Sequence, residues 1–241
     1  MSIEKKQIKL GEISIDVIYK DIKNIHLSVH PPTGRVRIAS PEKFKLDTLR
    51  VFAISKLNWI RKQRLKIQAQ EREAPREYIT RETHYFFGKR FLLNVITQSK
   101  NPKVILNHNT IDLYVRENST LSQRKALLNE WYREQLKNKI PELIARWEKI
   151  LDVRVNEYGI KKMKTRWGTC NPRVQRIWLN LELAKKPSEC LEYIIVHEMV
   201  HLLERTHNQK FIALMNKYLP KWKDYKKELN RFPLMHESWE Y

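Results

Sequence analysis

The chain has 241 residues, 47 of them Lys or Arg and 27 Asp or Glu, for a formal charge of +20; 41% are hydrophobic and 10% aromatic. That apolar content excludes a disordered tail, and 5 Gly and 10 Pro without period exclude collagen-like or low-complexity architecture. Two cysteines make no disulfide framework and no apolar run approaches a membrane span, so a soluble protein of the reducing cytoplasm is expected.

From Lys6 to Ala39 apolar residues alternate, through Ile8 and Leu10, Ile13 to Tyr19, Ile25 to Val29, and Val36 and Ile38. With turn chemistry between the runs, this predicts an antiparallel meander of short strands. Ser40-Pro41-Glu42 has the form of a helix start, and a helix is expected over 41–73. Its Arg61, Lys62 and Arg64 form a candidate nucleic-acid-binding surface, since cations displace counterions from a phosphate backbone. Tyr85 to Ile96, Val104 to Leu106 and Ile111 to Val115 are again strand-like. Thr120 with Gln123 has the capping-box form, and Leu128, Trp131, Leu136, Ile140 and Trp147 follow at helical spacing to Leu151, with Pro141 expected to kink or divide the helix. Strands over Tyr158–Arg166 and Gln175–Leu181 and helices from Pro187 to about Arg231 complete the chain. The fold class is α+β, with no visible internal repeat. Residues 1–118 are assigned to a β-rich N-terminal module and 119–241 to a second domain that carries the chemistry.

That chemistry centres on His197-Glu198-Met199-Val200-His201. Residues four apart on an α-helix lie about 40° apart around its axis, so both imidazoles leave the same face and can reach one ion. Glu198 borders that face, placed to take a proton from water activated by a metal. The surrounding Ile194, Ile195, Val196, Met199, Val200 and Leu202 imply a buried helix, where unpaired polar groups are costly. A third ligand is needed, and His207 is the candidate, provided the helix ends between Leu203 and Thr206 and the chain reverses. Thr206 with Gln209 has the form of a second capping box that would place His207 in the first turn of the next helix. The stretch Leu203-Glu204-Arg205 has no glycine to ease that reversal, and if the helix continued, Glu204 or Glu228 would be the alternative ligand. Three imidazoles favour zinc as the ion. Cys170 reads as a small buried hydrophobe, not a nucleophile, and Asn180 as a tie for a strand end. His26, His30, His84, His108 and His236 lack ligand spacing and are read as surface or turn residues.

His197-Glu198-x-x-His201-x5-His207, Phe211 four residues on, the preceding Lys164-Thr165-Arg166-Trp167-Gly168-Thr169-Cys170 and Leu179-Asn180-x-x-Leu183 together resemble the YgjP-like metallopeptidase-domain family of zincin-like proteins. Thr169 stands where that family carries serine. The resemblance implies a zincin-like metallopeptidase domain after the β-rich module, with His197, His201 and His207 as zinc ligands and Glu198 as catalytic acid/base. Its expected substrate is a peptide or protein, with a nucleoside triphosphate such as UTP, cleaved by pyrophosphatase chemistry, as the second reading. Either would lie near Lys164, Arg166 and Trp167, the candidate substrate-binding residues. The basic strand Tyr158–Arg166 would align a peptide by edge addition, and its cations suit phosphates or an acidic peptide.

Overall fold

A computed structural model describes residues 5–30, 33–69, 76–163 and 166–231. The chain divides into two compact units, one through Pro75 and the other Arg76–Phe232.

In the first unit the alternating runs form β1 (Lys5–Leu10), β2 (Ile13–Tyr19), β3 (His26–His30) and β4 (Arg35–Ser40). They are not a meander. The sheet order is β1-β2-β4-β3, with β2 and β4 parallel, Ile15 opposite Val36, and an antiparallel partner on either side. Alternation decides which side chains face the core, not which strand is the neighbour. Ile15, Val17, Val36 and Ile38 are buried against Leu49, Ala53 and Ile60 of two helices, α1 (Leu46–Ser55) and α2 (Leu57–Gln68). The single helix expected over 41–73 is therefore corrected. Ser40 ends β4, its Oγ donating to Pro41 O, and the helix begins at Leu46 and breaks at Lys56, whose φ of −104° and ψ of 7° are not helical.

The second unit opens on β5 (Thr83–Phe86), β6 (Lys89–Thr97), β7 (Lys103–Leu106) and β8 (Thr110–Val115), in the order β5-β6-β8-β7. Here too the two central strands are parallel and each outer strand is antiparallel. The same four-strand topology thus occurs twice, a repeat that no sequence similarity announces. Thr120 and Gln123 form the expected capping box on α3 (Leu121–Leu151), which runs through Pro141 undivided. Leu128, Leu136, Ile140 and Leu143 of α3 share one core with Leu93, Ile111 and Leu113 of the sheet. This packing puts the division at 75/76, not near 118: the strands of 83–115 belong with the helices that follow them.

A second sheet, in the order β10-β11-β9, comprises β9 (Glu157–Lys161), β10 (Gly168–Asn171) and β11 (Arg176–Asn180). β11 is parallel to β9 and antiparallel to β10, which leaves β10 as an edge. A 3-10 turn at Leu181–Lys185 leads to α4 (Ser188–Val200), α5 (Gln209–Tyr218) and α6 (Trp222–Arg231). Helix α4 is apolar nearly all round because it is enclosed: Leu191, Ile195, Val196, Met199 and Val200 have no exposed surface.

Candidate metal centre

The last turn of α4 carries His197 and Glu198, and His201 caps it with right-handed backbone. Leu203 and Glu204 N–H groups close on Val200 O, and the chain then reverses to Asn208, whose side chain accepts from Phe211 N at 3.0 Å and caps α5. No residue of 200–208 has positive φ, so the turn forms without glycine. The α5 cap falls on Asn208, not Thr206, and His207 sits in the bend just before the helix. Its Nε2 lies 3.0 Å from Nε2 of His197, and one nitrogen from each of His197, His201 and His207 falls within 4.8 Å of the others.

Several contacts hold this constellation. His201 Nδ1 meets Glu204 O at 3.1 Å, which fixes the ring and leaves Nε2 toward its neighbours. Phe211 packs beneath all three imidazoles, with ring centroids 5.0, 4.8 and 4.7 Å away. Burial, then the neighbouring His201 and His207, pushes His197 down to about 3, and burial also lowers His201, so both rings are neutral donors. Nδ1 of His197 is buried without a hydrogen-bond partner among the described residues. Three converging imidazole nitrogens have the donor chemistry of a divalent-metal site. Glu204 is committed elsewhere, its Oε1 accepting from Thr206 N and Oγ1, and Glu228 does not line the site.

Glu198 is 5% exposed, and burial, partly offset by the Arg166 charge, pushes its carboxyl up to about 8. It lies directly against Gly168 of β10: a Cβ there would stand 2.6 Å from Oε1 and 2.7 Å from Cγ of Glu198. Gly168 therefore reads as the space the glutamate occupies. Cys170, pushed up to about 12 by burial and by Glu198, stays a thiol.

These groups line a cleft of about 1260 Å³ with Arg166, Trp167, Arg173, Tyr193, Arg205 and Trp222 among its walls. Of the candidate substrate-binding residues, Arg166 and Trp167 line this cleft, whereas Lys164 falls outside the described residues. Asn180 anchors the segment leading to them, its Nδ2 donating to Met163 O and Arg166 O, both at 2.8 Å. The edge beside the centre is β10, not the expected Tyr158–Arg166 strand, which ends at Lys161 on the opposite border of the sheet. Tyr193, Arg173, Arg205, Trp222 and Lys226 were not anticipated, although Tyr193 precedes His197 by one helical turn and shares its face. Arg61 and Lys62 are exposed on α2 in the first unit, while Arg64 is half-buried with its stem against Gly34. His84 is buried, not on the surface, and His236 lies outside the described residues.

Three imidazoles, two from the end of α4 and one from the bend before α5, converge beside a buried glutamate and could hold a metal ion. The family model described as YgjP-like, metallopeptidase domain, matches residues 23–232, and the chain belongs to that family. Among solved structures it is similar to the metallopeptidase zymogen of Pyrococcus abyssi abylysin, with 21% identity over 37% of this chain and 90% of that one, at a TM-score of 0.35. No curated protein matches the chain.

Proposed function

We propose that the protein is a zinc-dependent metallopeptidase in which His197, His201 and His207 hold the ion and Glu198 is the general base. The observation that carries this is the convergence of three imidazole nitrogens beside a buried carboxylate that faces an open cleft. The bound ion supplies Lewis-acid polarisation of the scissile carbonyl and acidifies water for attack. Glu198 takes the proton from the attacking water and returns it to the leaving amine. The outer edge of β10 binds the peptide by adding it to the sheet, so the scissile bond passes between Gly168 and the histidines. Gly168 keeps Oε1 at the cleft wall, and Asn180 fixes the approach of Arg166 and Trp167.

The free thiols Cys170 and Cys190 support a reducing, cytoplasmic compartment, and no helix among the described residues is long and apolar enough to cross a membrane. Cations on the cleft wall support the second reading, hydrolysis of a nucleoside triphosphate at the same centre. The test is a side-by-side assay of zinc-loaded protein on casein-derived peptides and on UTP. The peptidase reading predicts peptide cleavage abolished in Glu198→Gln and no phosphate or pyrophosphate release above that variant; release from UTP without peptide cleavage would replace it with the second reading.

A further inference from the structure

Apart from the histidines, the charged side chains along the cleft are of one sign except for Glu198. Arg166, Arg173, Arg205 and Lys226 come from the approach to β10, the turn after it, the α4–α5 turn and helix α6. Elsewhere in this unit cations are commonly matched by carboxylates, as in Arg133 with Glu130, Lys137 with Glu134, Arg176 with Glu157 and Lys185 with Glu182. None of the four cleft cations has such a partner among the described residues. Glu198, the lone carboxylate, is buried against Gly168 and interacts with the Arg166 charge, and one carboxylate against four cations leaves the cleft basic.

The placement of the cations has a direction. Arg166 precedes β10 by two residues and Arg173 follows it by two, so they bracket an edge of four residues, about 13 Å long. A peptide paired along that edge passes one cation at each end of the strand, and Arg205 of the α4–α5 turn and Lys226 of α6 line the same cleft. A low-dielectric cleft lined by one sign of charge concentrates ligands of the other sign and repels its own. A triphosphate would instead need donors gathered on one point, usually backbone N–H groups of a glycine-rich loop, and the cleft's one glycine is filled by Glu198.

We propose that the cleft selects acidic peptides, with Asp or Glu on both sides of the scissile bond recognised by Arg166, Arg173, Arg205 and Lys226. This deepens the peptidase reading and rests on it. The test uses zinc-loaded protein and three quenched-fluorescence peptides of one core sequence, flanked on both sides by Glu, Ser or Lys. Binding of the same peptides to Glu198→Gln is followed in parallel through the fluorescence of Trp167 and Trp222. The Glu-flanked peptide is expected to exceed the Ser-flanked one by about tenfold in kcat/KM at low salt, with the Lys-flanked one slowest. The advantage should collapse at about 0.5 M salt, where exposed charges are screened. Arg173→Glu combined with Lys226→Glu should reverse the order of Glu- and Lys-flanked peptides in binding as well as turnover. Equal kcat/KM for the three, or preference for Lys, would overturn the proposal and leave the peptidase reading intact. Salt-sensitive, preferential binding of the Glu-flanked peptide without any cleavage would support the recognition while overturning the peptidase reading. Absence of both cleavage and preferential binding would overturn both.

Discussion

At the scale of single residues the centre depends on contacts that differ greatly in how far apart they lie in sequence. The pairing of His197 with His201 is local, since one helix turn brings the rings together, and the motif spacing made it legible. Gly168 is not local: thirty residues separate it from Glu198, and only the fold brings the carboxylate to 2.6 Å from where a Cβ would stand. Gly168→Ala should therefore displace Glu198 while leaving the histidines in place, lowering kcat by about 10²-fold, the scale of a misplaced catalytic group, with zinc content unchanged. Steady-state kinetics beside metal analysis checks it, and wild-type kcat would contradict the assigned role. Phe211→Ala should have the converse effect, weakening zinc retention against a chelator, because its ring lies under all three imidazoles. His84 provides a pH dependence away from the centre. Burial first, then the Arg76 and Lys185 charges, holds it down to about 3 against an ordinary 6.5. The unfolded chain thus binds a proton that the folded one refuses between those values, so this contribution to stability falls as pH drops through that window, by up to about 1.4 kcal/mol per pH unit. Denaturant melts at several pH values should show a shallower acid slope for His84→Gln than for wild type, and parallel slopes would refute the assignment.

At the scale of elements, local signals were reliable where a local cause decides the outcome. The capping box of Thr120 and Gln123 starts α3 as its spacing predicts, and alternation located the strands of the first sheet, whereas the single run expected over Tyr85 to Ile96 turns back at Phe87 and Gly88, both with positive φ, and divides into β5 and β6. Ser40-Pro41 misled, because the same residue types that cap a helix also end a strand and open a turn. The pairing of β2 with β4 was illegible for a different reason: each strand presents the same buried face whichever neighbour it takes. The reversal after His201 lacked its usual glycine, yet right-handed turns and the Asn208 cap accomplish it, and Thr206, the expected cap, bonds Glu204 instead. Helix α3 is the spine of the second unit, and Leu136 on it has no exposed surface. Leu136→Ala should cost about 2–5 kcal/mol in urea unfolding, through lost transfer free energy and the cavity left behind. A loss below about 1 kcal/mol would show that the helix is not held by that contact.

At the scale of the whole molecule, the α+β class and the family were legible, while the division of the chain was not. Grouping elements by type set all the strands before residue 118 together, whereas packing joins β5–β8 to α3 in one core. The duplicated strand topology was likewise hidden, since two sheets can share connectivity with few residues in common. Every group assigned to the centre and its cleft lies within Arg76–Phe232. Residues 76–232 produced alone should accordingly fold cooperatively and bind zinc with the stoichiometry of the full chain, as circular dichroism and metal analysis would show; an unfolded or metal-free product would mean that the first unit is required.

The central claim, that three histidines hold one zinc, is tested most directly by elemental mass spectrometry of protein purified without a histidine tag, comparing wild type with His207→Ala. The account predicts about one zinc per chain in the wild type, as for a catalytic site with three protein ligands, and its loss on dialysis from the variant. Wild type that stays free of metal after zinc titration, or His207→Ala that keeps full stoichiometry and affinity, would contradict it.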